Sequence, residues 1–168
     1  MKTNIVLVSL LDDVNKEISV KIAKDFDLYL ADMAEILQYN LMNEDEIKSV
    51  CGEDYLNGLK NKAIKDVATY ENTLISISYG LFIDKENIEV LKKYGTIVYL
   101  KFTKDAIENY YKSLSSKEEL LDAQLKLDMY QERNALCEQY SDLVIELTKV
   151  DYDSCCKKIE KVLDNYYL

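Results

Sequence analysis

The chain has 168 residues, 48% of them hydrophobic, and a formal net charge of −10. The hydrophobic fraction indicates a globular protein, and the excess of carboxylates disfavours nucleic acid and anionic membranes as partners, since both require clustered Lys and Arg. The sequence has no His and a single Arg, Arg133, which excludes imidazole-based catalysis, His-ligated metal sites and an arginine clamp on a polyphosphate.

Five apolar runs predict five β-strands. Each run is short, rich in apolar or β-branched residues, and separated from the next by a helical pattern. The runs lie at residues 4–10, 27–31, 72–80, 95–102 and 142–147. Because nearly continuous apolar runs are typical of strands buried on both faces, we expect a parallel sheet.

Amphipathic patterns predict helices in the intervals between the strands. In the first helix, Val14, Ile18 and Ile22 share one face. Further helices are predicted at residues 32–41, 43–52, 55–70, 84–95, 103–114 and 151–168, and residues 115–140 are predicted to be helical in two pieces. This order predicts one α/β domain over residues 1–168, with ligands bound beyond the carboxyl ends of the strands.

The turn after the first strand reads "SLLDDV" and contains no glycine. A helix N-terminus favours an anion, and two adjacent carboxylates, Asp12 and Asp13, stand at the start of this helix. We therefore predict that the chain supplies its own anion here, with an aspartate capping the helix.

Three stretches of the chain together resemble the shikimate kinase family. They are "NIVLV" followed by "ISVKIAKDF", then "LISISYGLFIDKENIEVLKKYGTIVYL", and finally "QERNALCEQYSDLVIEL". The resemblance implies an α/β, three-layer α/β/α P-loop kinase-like fold, with a five-stranded parallel sheet in the order 2-3-1-4-5 and helices on both faces. It also implies a helical lid-equivalent segment at residues 114–133.

The family's phosphate loop, G-x-x-x-x-G-K-[ST], holds phosphate through glycine backbone amides and a lysine. In this chain the resemblance places Ser9 and Val14 at the glycines, Asn15 at the lysine and Lys16 at the hydroxyl. The equivalent residues as a group are Ser9, Asp12, Asp13, Val14, Asn15 and Lys16. A frame shifted by one residue would instead make Lys16 the phosphate-binding lysine.

The resemblance extends to other functional positions of the family. Ala31-Asp32-Met33 stands at an Asp-x-Asp motif, Ser78-Tyr79-Gly80 at a triple glycine, and Leu56 and Tyr110 at two arginines. Arg133 is retained where the family uses Arg on the substrate carboxylate. We therefore expect ligand contacts, if any, from Arg133, Ser78 and Gly80.

Two hypotheses follow. The favoured one is a catalytically inactive shikimate kinase-like protein of the cytoplasm, with no cofactor, which binds or regulates through a protein partner or a small anionic ligand. The alternative is an active small-molecule kinase that uses ATP and Mg²⁺, with Lys16 and Arg133 on phosphate or substrate and Asp32 holding the metal.

Several residues have a structural and a functional interpretation. Arg133 is either an anion contact or part of a salt bridge with Glu132, Glu138 or a neighbouring helix. The trio of Asp12, Asp13 and Asp32 is either a cation site or a set of capping and solvated carboxylates.

The cysteines and the lid leucines also have two interpretations. Cys155 and Cys156 are either a redox switch or reduced thiols with one facing inward. The leucines either dock a partner or cover the open end of the sheet; they are Leu120, Leu121, Leu125 and Leu127.

Overall fold

The computed structural model describes residues 2–114 and 116–167, apart from the side chains of Lys117, Glu118, Glu119 and Asp122. Five parallel strands form one sheet in the order β2-β3-β1-β4-β5, which confirms the expected topology. The strands are β1 (Asn4–Ser9), β2 (Tyr29–Asp32), β3 (Thr73–Ser78), β4 (Gly95–Phe102) and β5 (Leu143–Leu147).

Helices connect successive strands along the described chain. They are α1 (Asp12–Asp25), α2 (Met33–Asn40), α3 (Glu44–Cys51), α4 (Glu53–Ala68), α5 (Tyr79–Phe82), α6 (Lys85–Tyr94), α7 (Lys104–Ser113), α8 (Lys117–Asp128), α9 (Tyr130–Tyr140) and α10 (Tyr152–Tyr167). Among the described helices, none is both long enough and apolar enough to cross a membrane.

The strand boundaries differ from expectation at two places that shape the ligand end of the sheet. β2 begins at Tyr29 rather than at residue 27, because Asp27 has a positive φ of 52° and belongs to the preceding turn. β3 ends at Ser78, and the short helix α5 begins at Tyr79. Gly80 therefore lies in a helical turn and not at the end of a strand.

The core lies on both faces of the sheet, as the apolar runs predict. Along β1, Ile5 and Leu7 pack with one cluster, whereas Val6 and Val8 pack with the other. The first cluster contains Ile18 of α1 together with residues of α7 and α10. The second contains residues of α2, α4 and α6. Alternation along a strand thus fills both layers of helices.

The segment predicted as a lid, residues 114–133, contains α8 and the first turn of α9, with Met129 between them. Leu127 is 8% exposed and belongs to the core, but Leu120, Leu121 and Leu125 are 44%, 72% and 66% exposed. The interpretation that all four leucines cover the sheet is therefore wrong for three of them.

The adjacent cysteines near the C-terminus are both buried, because they stand in the half of α10 that packs on α1 and the sheet. Cys155 donates from Sγ to the carbonyl oxygen of Lys149 at 3.3 Å. Burial raises the pKa of the Cys156 thiol to about 11. The expectation that only one of the two thiols faces inward is thus wrong, and burial argues against a redox switch.

Candidate ligand cleft at the carboxyl ends of the strands

Two cavities lie beyond the carboxyl ends of the strands, and Asp12 and Asp13 line both of them. One cavity of about 240 Å³ lies against α7, where Tyr110 and Tyr111 form part of its wall. The other, of about 160 Å³, we name the acidic cleft. Its polar lining residues are Asp12, Asp13, Asn15, Lys16, Asp32, Ser76 and Ser78.

The β1–α1 turn is held by Ser9 and not by an aspartate cap. The Ser9 hydroxyl, fully buried, lies 3.1 Å from the backbone nitrogen of Leu11 and accepts its hydrogen bond. Leu11 is the N-cap residue of α1 and makes no side-chain capping bond. The predicted aspartate cap is therefore wrong, because Asp12 and Asp13 stand inside the first helical turn, one and two positions beyond the cap.

Asp12 lines both cavities. The backbone N–H of Tyr79, at the start of α5, acts on the Asp12 carboxylate and favours its ionised form. Although Asp12 is exposed by surface area, protein atoms crowd the carboxyl group, and this desolvation raises its pKa. A carboxylate in such a position gains from a nearby cation.

Asn15 points into the protein between two strands. Its Nδ2 donates to the carbonyl oxygen of Leu7 and to the hydroxyl of Ser76, both at 3.0 Å. The residue is 1% exposed, and its Oδ1 has no hydrogen-bond partner among the described residues. The position that the resemblance equates with the phosphate lysine thus carries a buried strand-bridging amide.

Lys16 is held by two carboxylates at the rim of the acidic cleft. Its Nζ lies 2.6 Å from Oε1 of Glu35 and 3.2 Å from Oδ2 of Asp32. These partners, Glu35 first, raise the pKa of Lys16 above its usual value. The structure therefore brings together Lys16 and Asp32, two of the three residues of the kinase hypothesis, but as an ion pair.

Asp32 caps α2 from the last position of β2. Its Oδ1 accepts from the backbone N–H of Ala34 at 3.0 Å, and its side chain is 7% exposed. Its Oδ2 faces Lys16 without an aligned hydrogen bond from any described residue. Both oxygens are thus committed to the protein, one to a helix terminus and the other to an ammonium group.

Ser78 and Gly80 differ in their relation to the cleft. Ser78 lines it and makes no side-chain cap bond to α5. Gly80 is exposed, and a Cβ added there would meet no atom within 4 Å. The chain itself therefore gives no packing reason for glycine at position 80.

Arg133 lies over the ring of Tyr79, with Cζ 5.1 Å from the ring centroid. Its Nη2 is 3.6 Å from the sulfur of Met129, and its Nε is buried without a hydrogen-bond partner. No described carboxylate forms a salt bridge with it: Glu138 binds Lys101 at 2.6 Å, and Asp12 interacts with it only through longer-range charge attraction. The salt-bridge interpretation of Arg133 is therefore wrong for the part of the chain that the structure describes.

Three residues of this region make contacts that the sequence did not predict. They are Glu35, Ser76 and Tyr79, which pair respectively with Lys16, Asn15 and Arg133. Glu35 was detectable in the sequence, because it follows Asp32 by three residues, the spacing at which a helix-capping residue and a residue of the first turn lie close together. Ser76 was not, since its partner Asn15 is 61 residues away in the chain.

The sheet order, the helices on both faces and the cleft at the β1–α1 turn define a P-loop kinase fold. The chain matches the family model described as shikimate kinase over residues 16–164. It therefore belongs to the shikimate kinase family, whose members normally use ATP and Mg²⁺.

Individual relatives agree with this assignment. The chain is 26% identical over 148 residues to the shikimate kinase of Xylella fastidiosa, covering 84% of this chain and 81% of the relative. It is 23% identical over 175 residues to that of Dictyoglomus turgidum, covering 98% and 100%.

Solved structures show the same fold at lower identity. Shikimate kinase from Bacteroides thetaiotaomicron superposes with a TM-score of 0.77 at 16% identity, covering 96% of this chain and 98% of that one. The Acinetobacter baumannii enzyme in complex with shikimate gives a TM-score of 0.75 at 17% identity, covering 98% and 95%.

Proposed function

We propose that this chain is a member of the shikimate kinase family that does not transfer phosphate. It would act as a cytoplasmic binding or regulatory module. The observation that carries this proposal is the pairing of Lys16, whose ammonium group is held by Asp32 and Glu35 at the rim of the cleft. A lysine neutralised by two carboxylates has little charge left for a phosphate.

The charges around this pair support the same conclusion. Asp12 and Asp13 line the cleft where phosphate oxygens would bind, and unlike backbone amides they repel an anion. The β1–α1 turn contains no glycine that would let its backbone amides close round a phosphate. Phosphoryl transfer relies on positioning and on electrostatic stabilisation of the phosphates, and this turn offers neither.

The residues present do not fit Mg²⁺ either. Within the described ranges, no group of three or more Asp, Glu, Cys or His residues is placed to hold a metal ion. Asp32, the carboxylate of the kinase hypothesis, is already engaged by the N-terminus of α2 and by Lys16. A magnesium ion would have to displace the lysine.

Thermal denaturation with nucleotide tests the proposal. The purified chain is heated with millimolar Mg·ATP, ADP or shikimate, and ADP release is measured with ATP and shikimate together. The shikimate kinase of Dictyoglomus turgidum serves as the positive control. We expect no rise in Tm and no ADP release from this chain. A rise in Tm with ATP that Lys16→Ala abolishes would overturn the proposal in favour of an active kinase.

As a binding module, the chain would bind either a small anionic ligand or a protein partner. The Arg133 guanidinium, which lies over Tyr79 and leaves its Nε without a hydrogen-bond partner among the described residues, supports a small anion as the ligand. A screen of small carboxylates and inorganic phosphate against wild type and Arg133→Ala addresses this. Stabilisation of both proteins alike by the same anion would exclude Arg133 as its contact.

A further inference from the structure

We propose that Met129 is a site of reversible oxidation, and that its sulfoxide oxygen binds the guanidinium group of Arg133. The co-substrate is hydrogen peroxide. Its O–O bond breaks as one oxygen atom passes to the thioether sulfur, and the proton of that oxygen moves to the other, which leaves as water. Sulfur is oxidised and the peroxide is reduced, each by two electrons. The inference goes beyond the proposed function, because it assigns a modification site that needs no ligand in the cleft.

Met129 is accessible to a small oxidant. It is 43% exposed, whereas Met33 is fully buried and Met42 is 89% exposed. Peroxide can therefore reach Met129 and Met42 but not Met33. Among the described methionines, Met129 is the one whose sulfur accepts a hydrogen bond. Oxidation consequently has a defined neighbour at Met129 and none at Met42.

Arg133 lies one helical turn after Met129 and donates to its sulfur, with Nη2 3.6 Å from Sδ. The guanidinium also lies over the ring of Tyr79, which favours this position of the group. A thioether sulfur is a weak acceptor, whereas oxidation places a polar oxygen on the same atom. Hydrogen bonds from a charged donor to oxygen are roughly twice as strong as neutral ones. Oxidation therefore strengthens a contact that already exists.

The guanidinium has no salt bridge within the described ranges that would compete for this oxygen. Its Nε is buried without a hydrogen-bond partner, and Asp12 acts on it only through longer-range charge attraction. The donor that faces Met129 is Nη2, which needs no rearrangement of Arg133 to meet an oxygen on the sulfur.

The contact lies where the lid-equivalent segment passes from α8 to α9. Met129 is the N-cap residue of α9, and Leu127, two residues earlier, belongs to the core. Oxidation thus acts at a junction whose two sides are both packed. If Arg133 contacts a small anion, the sulfoxide oxygen competes with that anion; this regulatory consequence rests on the proposed function, whereas the sulfoxide contact itself does not.

NMR spectroscopy of the oxidised chain tests the proposal. Arg133 is the only arginine, so a ¹⁵N-labelled sample has a single arginine Nε–H signal, and ¹³C-labelled methionine methyl groups report each oxidation. The Cys51→Ser background removes the exposed thiol. We expect peroxide to oxidise Met129 and Met42 but not Met33, and to shift the arginine signal. Methionine sulfoxide reductases for both epimers should reverse the shift.

Two results of this experiment would overturn the proposal. One is a Met129 that stays reduced under conditions that oxidise Met42. The other is oxidation of Met129 without a shift of the arginine signal. No reagent here is a nucleotide, so binding of Mg·ATP by the chain would overturn the proposed function and leave this result unchanged.

Matched variants assign the shift to one sulfur. We expect Met129→Leu to abolish the peroxide-dependent shift of the arginine signal, whereas Met42→Leu should preserve it. A shift that persists in Met129→Leu would contradict the proposal. Because both substitutions remove one methionine without adding a charge, the comparison separates the local contact from general oxidative damage.

A stability cycle tests whether the sulfoxide oxygen uses the guanidinium. Tm is measured before and after oxidation in the Met42→Leu chain, with Arg133 and with Arg133→Leu. We expect oxidation to lower Tm more in Arg133→Leu, because the new oxygen there lacks its charged donor. Equal changes in Tm for the two proteins would refute the contact.

Discussion

The ammonium nitrogen of Lys16 lies 3.2 Å from Oδ2 of Asp32 and 2.6 Å from Oε1 of Glu35. This contact joins α1 to the start of α2 across the end of the sheet. Asp32 is 7% exposed, whereas Lys16 keeps 46% of its side chain exposed. The pair therefore stabilises this end of the fold, and at the same time it engages the Lys16 ammonium group, so that this group is not available to a ligand.

Removal of the lysine should destabilise the protein. We expect Lys16→Met to lower Tm by a few degrees, because the buried Asp32 then lacks a compensating charge. Differential scanning calorimetry measures this. Lys62→Met is the matched control, since Lys62 is exposed on α4 and makes no ion pair among the described residues. A control effect as large as that of Lys16→Met would refute the role of the pair.

The side-chain amide of Asn15, which bridges two strands, should contribute substantially to the free energy of unfolding. We expect Asn15→Ala to cost about 2 kcal/mol of unfolding free energy, because it leaves the Leu7 carbonyl and the Ser76 hydroxyl without their donor. Urea denaturation measures this, with Asn57→Ala on the exposed face of α4 as the control. A loss below about 0.5 kcal/mol, typical of a surface change, would contradict the expectation.

Replacement of Asp12 by an uncharged residue should stabilise the protein, by an amount that depends on pH. Desolvation raises its pKa in the folded chain above the unfolded value of 3.8, so its ionisation opposes folding at neutral pH. This cost is absent below pH 3.8 and complete above the folded pKa. Asp12→Asn should therefore raise Tm by about 1–2 °C at neutral pH, with a smaller gain near pH 4. Calorimetry across this range checks it, and a gain that grows towards acid pH would be inconsistent with the cause given.

Gly95 lies at a close approach of β4 to β1. A Cβ at this position would lie 3.2 Å from the carbonyl oxygen of Asn4 and 3.3 Å from Cγ2 of Val6. We expect Gly95→Ala to destabilise the chain by about 1–3 kcal/mol in urea denaturation. Gly58→Ala, in an open position within α4, should instead stabilise it by about 0.5–1 kcal/mol. If Gly95→Ala stabilised the chain as Gly58→Ala is expected to do, the gain in backbone entropy would outweigh the cost of the close contact.

Thiol titration should distinguish Cys51 from the other cysteines. Cys51 is exposed, whereas the other three are buried and burial raises the pKa of Cys137 to about 12. We expect an aromatic disulfide reagent at neutral pH to modify Cys51 rapidly, and the remaining thiols only after denaturation. Rapid modification of Cys155 or Cys156 in the folded chain would revive the redox interpretation.

The elements of the fold were largely predictable, because their signals are local. Five apolar runs marked the strands, and the resemblance to the family supplied the order in which they pair. The wrong predictions concern places where a contact with a residue outside the local sequence pattern decides the structure. Asp12 and Asp13 were expected to cap α1, but the buried hydroxyl of Ser9 orders the turn instead.

The site residues were less predictable, because their roles depend on what lies opposite them. Arg133 was given Glu138 as a candidate partner, yet that carboxylate turns to Lys101 on β4 and the guanidinium lies over Tyr79. The spacing of residues along α9 does not reveal this, since it depends on how the helix packs against β4 and α5.

The sequence alone specified the alternation of strands and helices, the absence of glycine from the first turn and the acidity of that turn. Each is a property of neighbouring residues. The folded structure decided that Lys16 meets Asp32 and that Asn15 meets Ser76. Parallel strands bring their carboxyl ends to one edge of the sheet, so residues far apart in the chain share one small cavity there. Their charges combine only after the sheet has formed.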